Sequence, residues 1–317
     1  MLCWIGVNQA AKEWYFAEGT TRTGFNEWLT IQNPDASQLA KITCEYMRAS
    51  GGSVTETYWV QPATRATINV NSEVENADVS MHLTSNVDII CERPMYFNYG
   101  GAWSGGHCVA GANAPRNTWY FAEGTTRAGF DEWLCVQNPM GAAADVGFRF
   151  MLDDGRVVTK EMNVPARARR TLHVPEVVEP ERDVSVVVSC TATPIVVERP
   201  MYFALPSPDG GSPWTGGHDV LGGQPGQSFF FAEGCTRTGF QEYLCLQNPG
   251  DESASVTVEY IPAGGGTTTG TYLLGPHSRK TLSVNFFAGP DKDVSMWVQS
   301  NRDIIAERPM YFSYNLQ

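Results

Sequence analysis

FAEGTTRTGFNEWLTIQNP, residues 16–34, returns as FAEGTTRAGFDEWLCVQNP at 121–139 and as FAEGCTRTGFQEYLCLQNP at 231–249. Each copy is followed by ERPMYF, at 92–97, 198–203 and 307–312. From the aromatic that opens each copy to the Phe that closes ERPMYF, the three units cover 14–97, 119–203 and 229–312. That period exceeds the roughly 20 to 50 residues of solenoid and propeller repeats and approaches the about 100 of an immunoglobulin-type sandwich. A body of this size buries only about two thirds of its unfolded surface, so each unit is expected to be marginal alone and to gain from neighbours or cross-links.

Within a unit the hydrophobic period is two. In 255–260, Val256, Val258 and Tyr260 point one way while Thr257 and Glu259 point the other, as in a half-buried strand. The counterparts are Val146, Phe148 and Phe150, and Ile42, Cys44 and Tyr46. Val79, Met81 and Leu83 alternate in the same way. Unit one then offers seven strands, at 14–18, 27–32, 40–47, 54–60, 65–70, 79–85 and 88–97, separated by turn formers such as Asn33-Pro34-Asp35 and Ser50-Gly51-Gly52. The expected fold is all-β: three tandem immunoglobulin-like antiparallel sandwiches. Pro94, Pro200 and Pro309 interrupt the last strand of each. Lacking an N–H, proline should put that strand on a sheet edge or kink it where it changes sheets.

The segments 98–118 and 204–228 read as linkers, yet they share Trp103-Ser104-Gly105-Gly106-His107 and Trp214-Thr215-Gly216-Gly217-His218. A tryptophan at a fixed place predicts linkers that pack on the flanking bodies and hold an angle, with His107 and His218 fixing them by hydrogen bonds. Residues 1–13 match the back half of a linker, Cys3 standing before Trp14 as Cys108 stands before Trp119, and 313–317 match the front of one. The expectation is a chain cut from a longer array, or a subunit whose ends meet those of the next.

With 22 Lys and Arg against 34 Asp and Glu, the net charge is −12. Nucleic-acid affinity rests on Lys and Arg releasing counterions, so nucleic acid is not an expected partner. No apolar run reaches the roughly 18 residues of a membrane span. The eight cysteines never form CxxC, which argues against a zinc ribbon or a redox motif and leaves disulfides in an oxidising compartment as the first expectation, with buried free thiols acting as small hydrophobes as the second. Position suggests Cys235 with Cys245, Cys44 with Cys91, and Cys135 with Cys190. Cys3 and Cys108 are left for contacts between domains or subunits.

Little in the chain points to catalysis. Glu18 and Arg22 recur as Glu123 and Arg127 and as Glu233 and Arg237; Glu92-Arg93 recurs as Glu198-Arg199 and Glu307-Arg308. Three copies of a paired-carboxylate site would be an odd enzyme, whereas an Arg bridging carboxylates and turn carbonyls would brace the loop between the first two strands. No HExxH or GxSxG surrounds the histidines. Acidic turns such as Glu73/Glu75/Asp78 lack the calcium-loop pattern and read as solvated turns. No catalytic, cofactor or metal residues are expected. Trp28, Trp133 and Tyr243, with Trp59 and Trp297, fall on outward faces by strand parity; core filling or linker packing is the first expectation for them, and a surface on which sugars stack the second.

WYFAEGTTRxGFxEWLxxQNP and ERPMYF resemble an uncharacterised tandem repeat of long secreted or surface-attached bacterial proteins, over all three units. Unit three departs from it with Phe229-Phe230 and Cys235. The resemblance implies an extracellular or cell-surface setting and tandem arrays, and no activity. The expected function is a non-enzymatic structural protein, a fibril protomer or stalk segment assembling head to tail through linkers and edge strands, its partner being itself or further repeats. The alternative is a carbohydrate-binding or adhesive array.

Overall fold

The computed structural model describes residues 6–207 and 210–312. Repeat 1 contains β1 (Ala11–Phe16), β2 (Phe25–Asn33), β3 (Ala40–Arg48), β4 (Ser53–Val60), β5 (Thr64–Asn69), the single turn α1 (Val70–Glu73), β6 (Val79–Tyr99) and β7 (Trp103–Ala110). Repeat 2 contains β8 (Thr118–Phe121), β9 (Phe130–Asn138), β10 (Ala144–Leu152), β11 (Val157–Val164), β12 (Ala168–His173), β13 (Val184–Ser189), β14 (Val196–Leu205) and β15 (Trp214–Leu221). Repeat 3 contains β16 (Gly226–Phe231), β17 (Phe240–Asn248), β18 (Ala254–Pro262), β19 (Thr268–Leu274), β20 (Ser278–Ser283), α2 (Val284–Ala288), β21 (Val294–Glu307) and β22 (Met310–Phe312).

The period-two pattern places the core. Val256, Val258 and Tyr260 are fully buried, as are Ile42, Cys44, Tyr46, Val79, Met81 and Leu83. Each repeat has its own hydrophobic cluster between two antiparallel sheets. In repeat 2 these run β11-β10-β13-β8 and β12-β9-β14-β15. Repeats 1 and 3 build the same two layers, but one long strand, β6 or β21, serves both. The sandwich therefore groups the first, third, fourth and sixth strands against the second, fifth, seventh and eighth. An immunoglobulin constant domain groups A, B, D and E against C, F and G, so the connectivity here is a different one.

Three expectations need correction. Strands six and seven of repeat 1 are continuous in β6, which pairs with β3 up to Ser85 and with β2 from Ile90 onward. Two of the prolines do not mark a free edge, because Pro94 lies between β2 and β7, opposite Cys108, and Pro200 lies opposite Asp219 of β15, whereas Pro309 precedes β22, which pairs with β17 alone among the described residues. Pro94 is tolerated there because the β2 ladder skips from Glu27–Met95 to Thr30–Glu92 and asks no N–H of it. The segments read as linkers thus supply an eighth strand each.

Motif residues explain themselves locally. The Asn of QNP ties down its turn: Asn138 Nδ2 donates to Ala142 O at 2.8 Å, Pro165 O at 3.0 Å and Val164 O at 3.1 Å. The Gly of FAEG is required by close approach. A Cβ on Gly124 would lie 2.7 Å from both Val184 O and Glu132 Oε1, and Gly19 and Gly234 are equally enclosed. Gly124→Ala is therefore expected to destabilise repeat 2 by about 1 to 3 kcal/mol. Gly141→Ala, with nothing within 4 Å, should leave the urea midpoint unchanged in a parallel denaturation.

Candidate functional site

The side chains that recur most faithfully converge where one repeat meets the next. Arg93 of β6, fully buried, reaches Glu18 Oε2 of its own repeat at 2.6 Å, Glu198 Oε2 of repeat 2 at 2.8 Å and Asp219 Oδ2 of β15 at 2.5 Å. It also donates to the Glu18 carbonyl, and the Glu18 amide donates to Glu198 at 2.9 Å. Arg199 repeats the arrangement one step along: Glu123 Oε2 at 2.7 Å, Glu307 Oε2 of repeat 3 at 3.0 Å, and the Glu123 amide donating to Glu307 at 2.8 Å. In ERPMYF, then, the Arg binds the FAEG loop of its own repeat while the Glu crosses to the repeat before. Each guanidinium also lies over a ring of its own repeat, Phe16 or Phe121.

Around this centre the same positions do the same work. Gln137 Nε2 donates to Met81 O at 2.9 Å. Arg169 donates to Gly19 O at 2.5 Å, and Arg279 donates to Ser185 Oγ at 3.1 Å. The tyrosine of ERPMYF enters an aromatic box: Tyr202 stacks on Tyr99 with centroids 4.2 Å apart and meets Phe97 edge-on at 4.9 Å. Tyr311 meets Phe203 and Phe130 edge-on, and its hydroxyl donates to Glu123 Oε1 at 2.6 Å. Apolar cover closes both joints, with Tyr15, Ala17 and Ala112 joining the core of repeat 2 and Ala122 packing on Cys245 and Ile305.

Burial, opposed by Arg93 and reinforced by Glu198, pushes the Glu18 carboxyl upward. Asp219 is pushed well up by burial and by Glu198. Glu18, Glu198 and Asp219 bring carboxylate oxygens within 4.8 Å of one another, a donor set suited to a hard cation. The guanidinium of Arg93 already stands among them and fills that role. Behind each FAEG loop is one more buried carboxyl. Desolvation raises Glu27 and Glu132 to about 8 and Glu242 to about 7, with Arg93, Arg199 and Arg308 respectively acting against it.

The other sequence-selected residues fall as follows. Arg22, Arg127 and Arg237 do not brace the FAEG carboxylates; they pair at the surface with Asp78 at 2.6 Å, Asp183 at 2.7 Å and Asp293. The Glu73/Glu75/Asp78 turn considered for calcium thus holds an arginine through Asp78, as the equivalent turns do through Asp183 and Asp293. Arg308 lies 3.5 Å from Glu233, and Glu92 has no ion-pair partner among the described residues. Among those residues no disulfide forms: Cys44, Cys91, Cys108, Cys135, Cys190, Cys235 and Cys245 are free thiols. Cys44 and Cys91 are core side chains of repeat 1. Cys135 accepts from Arg169 at 3.1 Å, and it borders the same core of repeat 2 as Cys190 without bonding to it. Cys245 packs in the second joint, away from Cys235. Burial drives the Cys135 and Cys245 thiols up to about 12, keeping them unreactive. Cys3 lies outside the described residues.

His107 is buried without a hydrogen-bond partner for either ring nitrogen, so it packs on Phe97 and fixes nothing by hydrogen bonding. His218 lies 3.6 Å from Glu123. Trp103 packs on Tyr99 and Trp214 is buried. The face of Trp133 is covered by His173, whereas Trp59 is 57% exposed on β4.

A scan against family models gave no match, and a search of curated proteins gave none either. Among solved structures it is similar to Thermotoga maritima 1070, at 18% identity and a TM-score of 0.30 over 33% of this chain and 96% of that one. It is similar to the Anabaena sensory rhodopsin transducer at 22% identity and a TM-score of 0.24, over 26% of this chain and 95% of the other. A tetra-tandem repeat in the extending region of a large adhesion protein aligns at 13% identity and a TM-score of 0.18, over 88% and 68%.

Two measurements bear on the joints. Removing one partner of a buried pair leaves the other charge uncompensated, so Arg199→Ala and Glu307→Ala should each cost about 3 to 5 kcal/mol, with strong coupling in the double-mutant cycle by urea denaturation. The folded Glu132 keeps its proton up to about pH 8, whereas the unfolded side chain loses it near 4.5. The native state therefore binds more protons in that window, and its contribution to stability falls as pH rises from about 4.5 to about 8. Glu132→Gln should flatten this slope in melting temperature against pH.

Proposed function

We propose that the chain is a non-enzymatic structural protein, a length of extracellular stalk or fibril in which repeats are locked end to end. The observation that carries this reading is the placement of Arg93 and Arg199. The strongest polar chemistry in the molecule is sealed inside the joints, each guanidinium holding one carboxylate from its own repeat and either one or two from the next. A hydrolase using paired carboxylates needs water and substrate at those oxygens. Glu18, Glu27, Glu198 and Glu132 are shut away from both. A rod also profits from the aromatic boxes, which resist bending by packing rather than by charge.

The adhesive reading has one observation in its favour: Trp59 stands exposed with Lys41 Nζ 5.4 Å from its ring, a surface on which a sugar could stack. The two readings separate experimentally. Electron micrographs of the source material, labelled with an antibody to this chain, are expected to show thin filaments or stalks outside the cell. Label confined to the cell interior, or polysaccharide turnover by the purified chain, would sink the structural reading. Saturable glycan binding abolished by Trp59→Ala would establish the adhesive one.

A further inference from the structure

We propose that the outward faces of repeats 1 and 3 are the two halves of a third joint. A second copy of this chain then docks its repeat 1 onto repeat 3, placing Glu92 on Arg308. The inference rests on the structural reading above and names the partner and the contact it would use.

The outer faces of repeats 1 and 3 are equivalent by register to the faces joined inside the chain. Gln32 pairs with Arg65 across β2 and β5 as Gln137 pairs with Arg169 and Gln247 with Arg279. Thr30 faces Glu92 as Cys135 faces Glu198 and Cys245 faces Glu307. In repeats 2 and 3 these positions press on the preceding repeat. In repeat 1, Thr30, Gln32, Arg65 and Glu92 instead line an open concavity of about 700 Å³. Tyr96 of ERPMYF is 58% exposed, whereas its equivalents Tyr202 and Tyr311 are 4% and 6% exposed inside their boxes.

Repeat 3 shows the opposite half. Glu233 has a side chain 53% exposed, against 4% for Glu18 and 8% for Glu123. Ala232 is exposed where Ala17 and Ala122 are sealed. Arg308, unlike Arg93 and Arg199, holds a single carboxylate, that of Glu233, among the described residues. One face therefore carries a spare carboxylate beside a spare tyrosine. The other carries an under-coordinated guanidinium beside Phe312, the counterpart of Phe97 and Phe203. Cys108 stands opposite Pro94 where Asp219 stands opposite Pro200, so the joint between copies would hold two carboxylates, as Arg199 does, rather than the three around Arg93.

Sedimentation velocity tests this on the full chain from micromolar to millimolar concentration in about 0.15 M salt, where repulsion between acidic copies is screened. The wild type is expected to grow into chains with concentration. Glu92→Ala spoils only the front face and Arg308→Ala only the back face, so each alone should remain monomeric, with affinity lowered at least about 100-fold. Mixed in equal amounts, they should form dimers and nothing longer, since one good face of each kind remains. Both sites are at least partly exposed, and an unchanged circular dichroism melt verifies folding; Tyr96→Ala, which alters no charge, should weaken growth in the same way. Wild-type growth untouched by either variant, or a mixture that stays monomeric, would place the contact elsewhere. A wild type monomeric throughout would overturn the second copy as partner while leaving the stalk reading, which depends on the internal joints, intact.

Discussion

A guanidinium sealed from water must be met by carboxylates, and in this chain no single repeat meets it fully. Arg93 and Arg199 sit in dry sites where stripping one partner would leave a bare charge, so each repeat is chemically incomplete until its neighbour delivers a glutamate. Everything else at the joint follows from holding that glutamate in place. The FAEG loop presents a carboxylate, a carbonyl and an amide together. The glycine in that loop admits the backbone of the sixth strand and a protonated carboxyl behind it. The tyrosine two residues beyond the proline anchors the crossing strand in an aromatic box.

The two internal joints are alike in plan and unequal in charge. Among the described residues Arg93 faces three acids and Arg199 two, the third at Arg93 being Asp219 on the eighth strand of repeat 2. An extra buried acid is held only with its ionisation suppressed, which is why Asp219 and Glu18 are pushed upward. Wholly buried contacts of this kind are little affected by salt, whereas the surface pairs of Arg22, Arg127 and Arg237 stand in water and weaken as ionic strength rises. The joints, rather than the surface pairs, are what make the array one body.

Strand content was legible because side-chain parity is a local property: the alternation around Val256, Val258 and Tyr260 names the core without any long-range knowledge. The eighth strand was missed because glycine- and proline-rich sequence reads as linker, although the fixed places of Trp103 and Trp214 were a sign of packing. The joint was half visible. Its residues stood out by repetition, but Arg22 was matched to Glu18 by proximity in sequence, while the true partner of Arg93 lies more than a hundred positions away. One signal could have found it. Gln32, Glu92 and their copies repeat at places that do no work inside a single sandwich, and such residues are intelligible only if another repeat stands against them. Two of the cysteines are likewise drawn to joints, Cys135 by Arg169 and Cys245 by Ala122 and Ile305, whereas Cys44 and Cys91 are free thiols within the core of repeat 1.

Because every joint takes its arginine from the repeat before and its glutamate from the repeat after, the unit of inheritance can be the whole repeat. Excising 119–203 with the strand that follows it would bring Glu307 to Arg93, the same pairing that Arg199 has now, and inserting another copy would restore the same match at both new boundaries. A gene built this way can lengthen or shorten by recombination between its own copies without stranding a charge.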